Sequence, residues 1–230
     1  MINPLNLIKP DEIRDSNGKT FHIGELEEYD TIDYDLGNPK DLERFIKDVK
    51  SEVRTSFEYR ELIRYLREYF GFDGLMFAML YKLIEAVSLN RSIKSFFLHS
   101  VKNYSIILAP EISNLIIKKL QSETLVALHI GNFNLSTQFH NKLIFQFAST
   151  RSLAFVSLEN QNFSKENIIT LKNVLSKNRS ILALSIASTF FKNMKPEIIN
   201  KLKSTLKEGS KLEIVHLTDI SLFDDYLSEK

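Results

Sequence analysis

One pattern of apolar positions recurs along the second half of the chain. Three segments, beginning at Leu125, Leu153 and Ile181, each carry apolar residues at relative positions 1, 4, 6 and 11, and they start 28 residues apart. Related segments begin at Ile93 upstream and at Leu212 downstream. Apolar residues two apart, as at positions 4 and 6, share one face of a β-strand. The sequence therefore predicts five short strands, one in each segment.

Helical patterns fill the intervals between the predicted strands. Apolar residues three and four apart predict helices over 110–120, 136–148, 164–175 and 195–206. Ser164, followed by Glu166 and Asn167, is typical of a helix start, with a capping side chain and an acid in the first turn. This alternation of strands and helices predicts an α/β fold class.

The unit L-x-x-L-x-L followed by a helix resembles a leucine-rich repeat of the ribonuclease-inhibitor type, over roughly residues 76–222. The resemblance implies a short solenoid, with parallel strands on a concave face and helices on a convex face. The family usually closes each turn with Asn or Cys at position 9, where this chain has Phe133, Gln161 and Thr189. We expect the neighbouring Asn132 and Asn160 to substitute.

The first 74 residues follow a different pattern. Asn17 and Gly18, between Ile13 and Phe21, predict a small β-hairpin. Amphipathic spacing predicts helices over 41–49 and 57–70. The apolar segment 75–90 predicts the helix of a degenerate opening unit, with an independent core helix as the alternative. The predicted organisation is thus a small α-rich capping unit over 1–74 and a repeat array of about five units over 75–230.

Composition narrows the classes of protein that fit. The 230 residues are 43% apolar and 26% charged, which is ordinary for a globular protein. The absence of Cys excludes disulfides, thiolate metal sites and Cys-nucleophile enzymes. No apolar run approaches the roughly 18 residues of a membrane-spanning helix, and the first residues lack the apolar region of a secretory signal. We therefore expect a protein with no transmembrane segment.

The net charge of +1 divides unevenly along the chain. Residues 1–74 hold 11 Lys and Arg against 17 Asp and Glu, for a charge of −6, and the remaining residues hold 19 against 12, for +7. The lysines of the second half are dispersed through predicted helices, where cations near the helix ends are favourable. We therefore predict no nucleic-acid partner. The acidic stretch 25–35 is interpreted as a solvated loop, with a metal or a basic partner as the alternative.

Motifs for catalysis or cofactor binding are absent from the sequence. It has no HExxH zinc motif, no GxSxG elbow and no glycine-rich phosphate loop. We predict no catalytic residue, no metal and no cofactor. Projected onto the repeats, however, His99, His129, His216 and Glu159 point away from the core, so a catalytic or pH-sensitive cleft remains an alternative.

The strand positions that point away from the helices form the predicted functional surface. Position 3 carries Ser95, Ala127, Phe155, Ala183 and Ile214; position 5 carries Phe97, His129, Ser157, Ser185 and His216; position 7 carries His99, Gly131, Glu159, Ala187 and Thr218. Exposed Phe97, Phe155 and Ile214 amid small residues are typical of a protein-binding patch. The residues predicted to bind a protein are Phe97, His99, His129, Phe155, Ser157, Glu159, Ile214 and His216. Alternatively, the N-terminal unit or the C-terminal tail covers part of this face.

The leading hypothesis is a non-enzymatic module that binds a protein partner on its concave face. One alternative is an enzyme, with its active site in the N-terminal unit or in a His/Glu cleft. Another is a scaffold that oligomerises through the ends of the array. Richness in Lys, Asn, Ile and Phe, together with a short repeat array and the terminal SLFDDYLSEK, resembles effectors that bacteria inject into host cells. The expected location is cytoplasmic, or inside a host cell after secretion.

Overall fold

Strands and helices alternate along the part of the chain that the structure describes. The computed structural model describes residues 13–14, 20–21, 39–51, 56–59, 74–99, 106–159 and 163–219. The strands are β1 (Ile13–Arg14), β2 (Thr20–Phe21), β3 (Ser56–Tyr59), β4 (Ser95–His99), β5 (Ile106–Ile107), β6 (Ala127–Gly131), β7 (Phe133–Asn134), β8 (Phe155–Glu159), β9 (Ala183–Ala187) and β10 (Ile214–Thr218). The helices are α1 (Pro39–Lys50), α2 (Gly74–Leu89), α3 (Pro110–Gln121), α4 (Thr137–Phe147), α5 (Lys165–Leu175) and α6 (Pro196–Lys207), and a 3-10 turn covers Thr189–Phe191.

Six of the described strands form one parallel sheet. Their spatial order is β10-β9-β8-β6-β4-β3, so each strand lies beside the strand of the next unit. Ala127 pairs with Phe155, and Phe155 pairs with Ala183, without any offset between units. The rows of equivalent positions read from the sequence are therefore the rows of the sheet. The five predicted strands, and the four helices predicted between them, are confirmed.

Strand β3 was not anticipated. Ser56–Tyr59 pairs in parallel with β4, with Phe57 beside Phe96 and Tyr59 beside Leu98. The predicted helix over 57–70 is therefore wrong at its start, and residues 60–70 lie outside the described residues. Phe57 and Tyr59 are two residues apart, which is the spacing of residues that share one face of a strand. The sheet thus extends upstream of the predicted boundary at residue 75.

The described N-terminal elements otherwise follow expectation. Helix α1 covers the predicted helix over 41–49, and its Phe45, Ile46 and Val49 are buried. It packs against α2, which covers the predicted helix over 75–90. Strands β1 and β2 pair antiparallel with Ile13 opposite Phe21, as the hairpin prediction requires. The helix layer therefore begins at α1, one helix before the array predicted from the sequence.

The main core lies between the sheet and the helices. The strand positions facing the helices are fully buried in the inner units, for example at Leu128, Ile130, Val156 and Leu158. They join one apolar cluster with helix residues such as Leu171. No helix among the described residues is long and apolar enough to cross a membrane.

Two asparagines close the turns that lead from helices into strands. The side-chain amide of Asn178 donates to the carbonyls of Phe147, at 2.6 Å, and Thr150, at 2.9 Å, in the preceding unit. Its oxygen accepts the backbone N–H groups of Ser180 and Ile181. These bonds tie each turn to its neighbour, because one side chain satisfies backbone groups of two successive units.

Asn90 repeats this arrangement three helices earlier, after α2. It donates to the carbonyl of Val49 and accepts the N–H groups of Ser92 and Ile93. The family-like closure was instead expected after the strands, at Asn132 and Asn160. Asn132 adopts a left-handed backbone (φ 57°) and its backbone N–H donates to the carbonyl of Glu159, while Asn160 lies outside the described residues.

Helix α5 begins as its sequence predicts. The Ser164 hydroxyl accepts the N–H of Asn167, and the Asn167 side chain accepts the N–H of Ser164, which completes a capping box. The side chain of Asn167 also donates to Asn141 of α4 at 3.2 Å. The same residue thus starts one helix and links it to the previous one.

Candidate functional site

The candidate site is the sheet face that points away from the helices, here called the inner face, formed by positions 3, 5 and 7 of each strand. A second apolar cluster lies on this side of the sheet, separate from the main core. Its buried members are Phe97, Val126, Ala127, Ala154, Phe155 and Ala183, with half-buried Ile214 against its edge. The rows of residues predicted from the sequence therefore lie on one continuous face of the sheet.

The predicted exposure of the apolar anchors on this face is wrong for two of the three. Phe97 is 5% exposed and Phe155 is 1% exposed. A phenyl ring on an uncovered sheet keeps its outer side in water, so such low values mean that the middle of the inner face is covered. Only Ile214, on the last described strand, remains half-buried. The alternative interpretation, in which another part of the chain covers this face, is the one that the burial favours.

His129 and Glu159 lie side by side within the covered region. The His129 Nε2 atom lies 3.8 Å from the Glu159 Oε2 atom, and both side chains are buried. Gly131 lies directly opposite Glu159 in the register, and it has no side chain to separate Glu159 from His129 two residues earlier. The Phe97 ring stacks on the imidazole ring of His129, with 5.9 Å between the two ring centroids.

Position 5 forms a polar row across four adjacent strands. It runs from His129 through Ser157 and Ser185 to His216, each beside the next in the register. Both serines are buried, whereas His216 is half-buried. Burial, and then the positive charge of Lys203, lowers the pKa of His216. The row is therefore closed in the middle and accessible at its β10 end.

The remaining predicted site residue is His99. In the sheet it stands beside Gly131, which in turn stands beside Glu159. Its side chain lies outside the described residues. The structure thus brings seven of the eight predicted residues together on the inner face, and their role in binding stays a prediction.

Two buried ionisable side chains were missed by the sequence analysis. His140 on α4 packs edge-on against Phe163, at 4.5 Å between ring centroids, and burial lowers its pKa to about 4. Lys119 on α3 is also buried, and its ammonium group donates to the Asn90 carbonyl and to the Thr124 hydroxyl, at 2.6 and 3.0 Å. Both lie on the helix side of the sheet.

A recurring polar position in the sequence would have revealed Lys119. Three residues before each of the first four strand segments the sequence has Asn90, Ser122, Thr150 and Asn178. Asn90 and Asn178 reach back to the preceding unit, whereas the shorter Ser122 does not, and Lys119 reaches back instead. A search for repeated apolar residues does not detect this position, because the residues at it are polar.

The chemistry available on the inner face is limited. Within the described residues there is no group of three or more His, Asp or Glu placed to hold a metal ion. What the face offers is an apolar cluster, a row of hydroxyl and imidazole groups, and one buried His–Glu pair. Among the described side chains of this face, those that remain half-buried are at its β10 end, at Ile214, His216 and Thr218.

Comparison with solved structures finds a related fold. The chain is similar to a structure described as leiomodin-1 actin-binding site 2, with a TM-score of 0.53 and 13% sequence identity over 84% of this chain and 97% of that chain. No protein-family model matches the chain, and no curated protein matches its sequence. At this identity the likeness concerns the fold alone.

A parallel sheet whose strands follow one another in sequence, each joined to the next through a helix, fits a leucine-rich-repeat-like architecture. The similarity to the leiomodin-1 structure agrees with a shared fold. The ribonuclease-inhibitor type of the repeat stays a prediction, and the chain is an α/β protein whose parallel sheet is compatible with a leucine-rich-repeat-like fold.

Proposed function

We propose that this chain is a non-enzymatic protein-binding module built on a leucine-rich-repeat array of the ribonuclease-inhibitor type. The observation that supports this most is the shared fold with a structure whose name states that it binds actin. Arrays of this kind present long surfaces whose side chains are set by the repeat register. Actin is accordingly the first partner to test.

The binding surface proposed is the β10 end of the inner face. Ile214, His216 and Thr218 point to that face and are half-buried, whereas Phe155 in the middle is closed off. An apolar side chain flanked by polar groups is a suitable anchor, because the apolar area dominates affinity and the polar groups orient the partner. Phe97, His129, Ser157 and Glu159 then act as support beneath the surface.

The experiment measures binding of purified monomeric actin to the 230-residue chain and to two variants. Ile214→Asp places a charge on the proposed anchor. Ile169→Asp is the matched control, because Ile169 is 51% exposed on α5, on the other side of the sheet. We expect saturable binding that Ile214→Asp weakens at least about tenfold and Ile169→Asp leaves unchanged. A flat isotherm removes actin as the partner, and equal losses in both variants contradict the proposed surface.

A second candidate function is an enzyme that uses the His129–Glu159 pair. The pair supports it because a carboxylate beside an imidazole orients a general base, and Ser157 lies directly across from His129 in the register. Its test is hydrolysis of an activated ester by the wild-type chain and by His129→Ala. The enzyme candidate requires turnover that His129→Ala abolishes, and that Asn173→Ala, an exposed control on α5, preserves. Background-level turnover in the wild type would reject it.

We also propose that the module acts as a secreted bacterial effector inside a host cell. Support comes from the composition of the chain and from the acidic and apolar residues 221–230. A translocation reporter fused to the chain should report delivery from a bacterium into host cells, and deletion of residues 221–230 should abolish it. Delivery that persists without these residues contradicts the assignment of the signal.

A further inference from the structure

Arginine occupies a single position of the repeat in the second half of the chain. Residues 75–230 hold 19 Lys and Arg, and only Arg91, Arg151 and Arg179 are arginines. Each stands two residues before the first apolar residue of a strand segment and is followed by a serine. The lysines show no such restriction and lie in helices and turns alike. Repeated use of arginine in a lysine-rich chain indicates a role for the planar guanidinium group rather than for charge alone.

The turn explains the residues beside these arginines but not the arginines themselves. Asn178 is buried and bonded to the preceding unit, and the Ser180 hydroxyl donates to the Thr150 carbonyl at 3.0 Å. Arg179 lies between them and is exposed, and its guanidinium approaches the Gly209 carbonyl at 3.5 Å, the outer limit of a hydrogen bond. The other two arginines are exposed as well. The turns therefore hold the backbone and leave the three side chains at the surface.

Arg151 and Arg179 lie in neighbouring turns, at the edge of the sheet where the strands begin. The strands that follow them, β8 and β9, pair without offset, and adjacent strands are about 4.8 Å apart. The two turns, residues 149–154 and 176–182, contain Arg151, Lys177 and Arg179 and no acidic residue. Neither arginine forms an ion pair with another described residue. This part of the edge is therefore a positively charged surface.

The same row of positions continues toward β4 with one change of sign. The strand order places Arg91 two turns before Arg151, and the exposed Glu123 occupies the position between them. The row therefore reads Arg91, Glu123, Arg151 and Arg179, with steps of about 4.8 Å. Such a pattern discriminates between partners, because Glu123 repels an acid placed opposite it.

We propose that these four residues, here called the arginine row, bind an acidic helix of a partner protein. Helical side chains three or four residues apart are separated by about 5–6 Å, which is close to the step of the row, whereas same-face side chains of an extended chain are separated by about 6.6–6.8 Å. Glutamates at helix positions i, i+7 and i+11 then meet the three arginines, and a lysine at i+4 meets Glu123. Each guanidinium can hold a carboxylate through two parallel hydrogen bonds, which an ammonium group cannot.

The arginine row lies along one edge of the sheet and not on the inner face, so this second surface goes beyond the proposed function. It is tested with a labelled, alanine-based helical peptide that carries glutamate at i, i+7 and i+11 and lysine at i+4. Fluorescence anisotropy measures its binding to the 230-residue chain, to the double variant Arg151→Ala/Arg179→Ala and to the control Lys142→Ala/Lys201→Ala. The control also removes two exposed positive charges, from α4 and α6.

The expected result is saturable binding that the arginine double variant weakens at least about tenfold and the lysine control weakens less than about twofold. Arg151→Lys/Arg179→Lys keeps the charge but not the paired hydrogen bonds, and should bind at least about threefold more weakly than the wild type. No binding to the wild type, equal losses in the two alanine variants, or full binding by the lysine replacement would each overturn the proposal.

Two further measurements separate the proposal from its rivals. The arginine double variant should unfold at the same urea concentration as the wild type, because both side chains are exposed; a marked fall would mean that the arginines hold the turns together, and would overturn a binding role. A peptide of the same composition with its charges spread around the helix should bind more weakly. Single-stranded RNA that binds more tightly than the matched peptide, through the same two arginines, would assign the row to nucleic acid and overturn the proposed partner.

Discussion

The two faces of the sheet differ in how they are composed, yet both are buried in the middle of the array. The face toward the helices is apolar in every unit, with Leu128, Val156 and Leu184 in one row. The inner face mixes Phe155 with alanines, serines and a His–Glu pair, and it is closed as well. Strand pairing therefore fixes which residues are neighbours, while the exposure of the inner face depends on what lies over it.

The largest expected effect on stability comes from truncating a buried side chain in the middle of either face. Phe155→Ala should lower the free energy of unfolding by about 3–5 kcal/mol, similar to the roughly 2–5 kcal/mol for Leu158→Ala on the other face. Both side chains are fully buried, so each truncation leaves a cavity. Urea unfolding measures both values.

Phe145→Ala provides the matched control for these truncations. Phe145 is 62% exposed on α4, so its loss should change stability by less than about 0.5 kcal/mol. A cost for Phe155→Ala as small as that of the control would mean that the inner face is open in solution.

The sequence alone was sufficient to predict the sheet face that packs against the helices. Positions 4 and 6 of each unit predicted the strands and their register, because a period of two with apolar residues in every unit leaves one arrangement of neighbours. Strand β3 was missed because Phe57 and Tyr59 are also compatible with an amphipathic helix in so short a segment.

The exposure of the inner face could not be predicted from the sequence pattern. Phe155 has identical local sequence whether or not another segment covers it, and such cover depends on contacts between residues far apart in the chain. The turns show a second limit: Asn90 and Asn178 stand out only when the polar position before each strand is compared between units.

The second prediction concerns pH and the helix side. Burial lowers the pKa of His140 from 6.5 to about 4 in the folded chain. The unfolded chain binds the proton more readily, so this contribution to stability is complete above pH 6.5 and is lost as the pH falls toward 4. We expect a loss of about 3 kcal/mol over that interval.

Urea unfolding of the wild type and of His140→Leu at pH 7 and pH 4 checks this. The variant should lack that part of the pH dependence, because leucine does not titrate. An equal fall in both proteins would show that other groups cause the acid sensitivity.

A smaller effect is expected from the polar pair of the inner face. Glu159→Gln should lower stability by about 1–3 kcal/mol, since His129 then faces an amide in a buried site. A double-mutant cycle with His129→Phe isolates the coupling between the two side chains. Additive losses would mean that the two groups do not interact in solution.

The smallest effect is expected on the helix surface. Lys172 and Glu208 pair at 3.1 Å, but Glu208 is 74% exposed. Lys172→Ala should therefore cost less than about 1 kcal/mol, and the cost should diminish with salt. A loss as large as that of Glu159→Gln would remove the distinction between buried and solvated pairs.

Thiol labelling tests most directly whether the inner face is closed in the middle and open at β10. The chain has no Cys, so single cysteines report one position each. Ser157→Cys places a thiol at a buried position in the middle, Ile214→Cys places one at the half-buried β10 end, and Ser136→Cys is an exposed reference. We expect the thiol at 157 to react about a hundredfold more slowly than the reference, and the thiol at 214 to react within about tenfold of it. Equal rates at 157 and 136 would contradict the closed inner face and return the binding surface to Phe97 and Phe155.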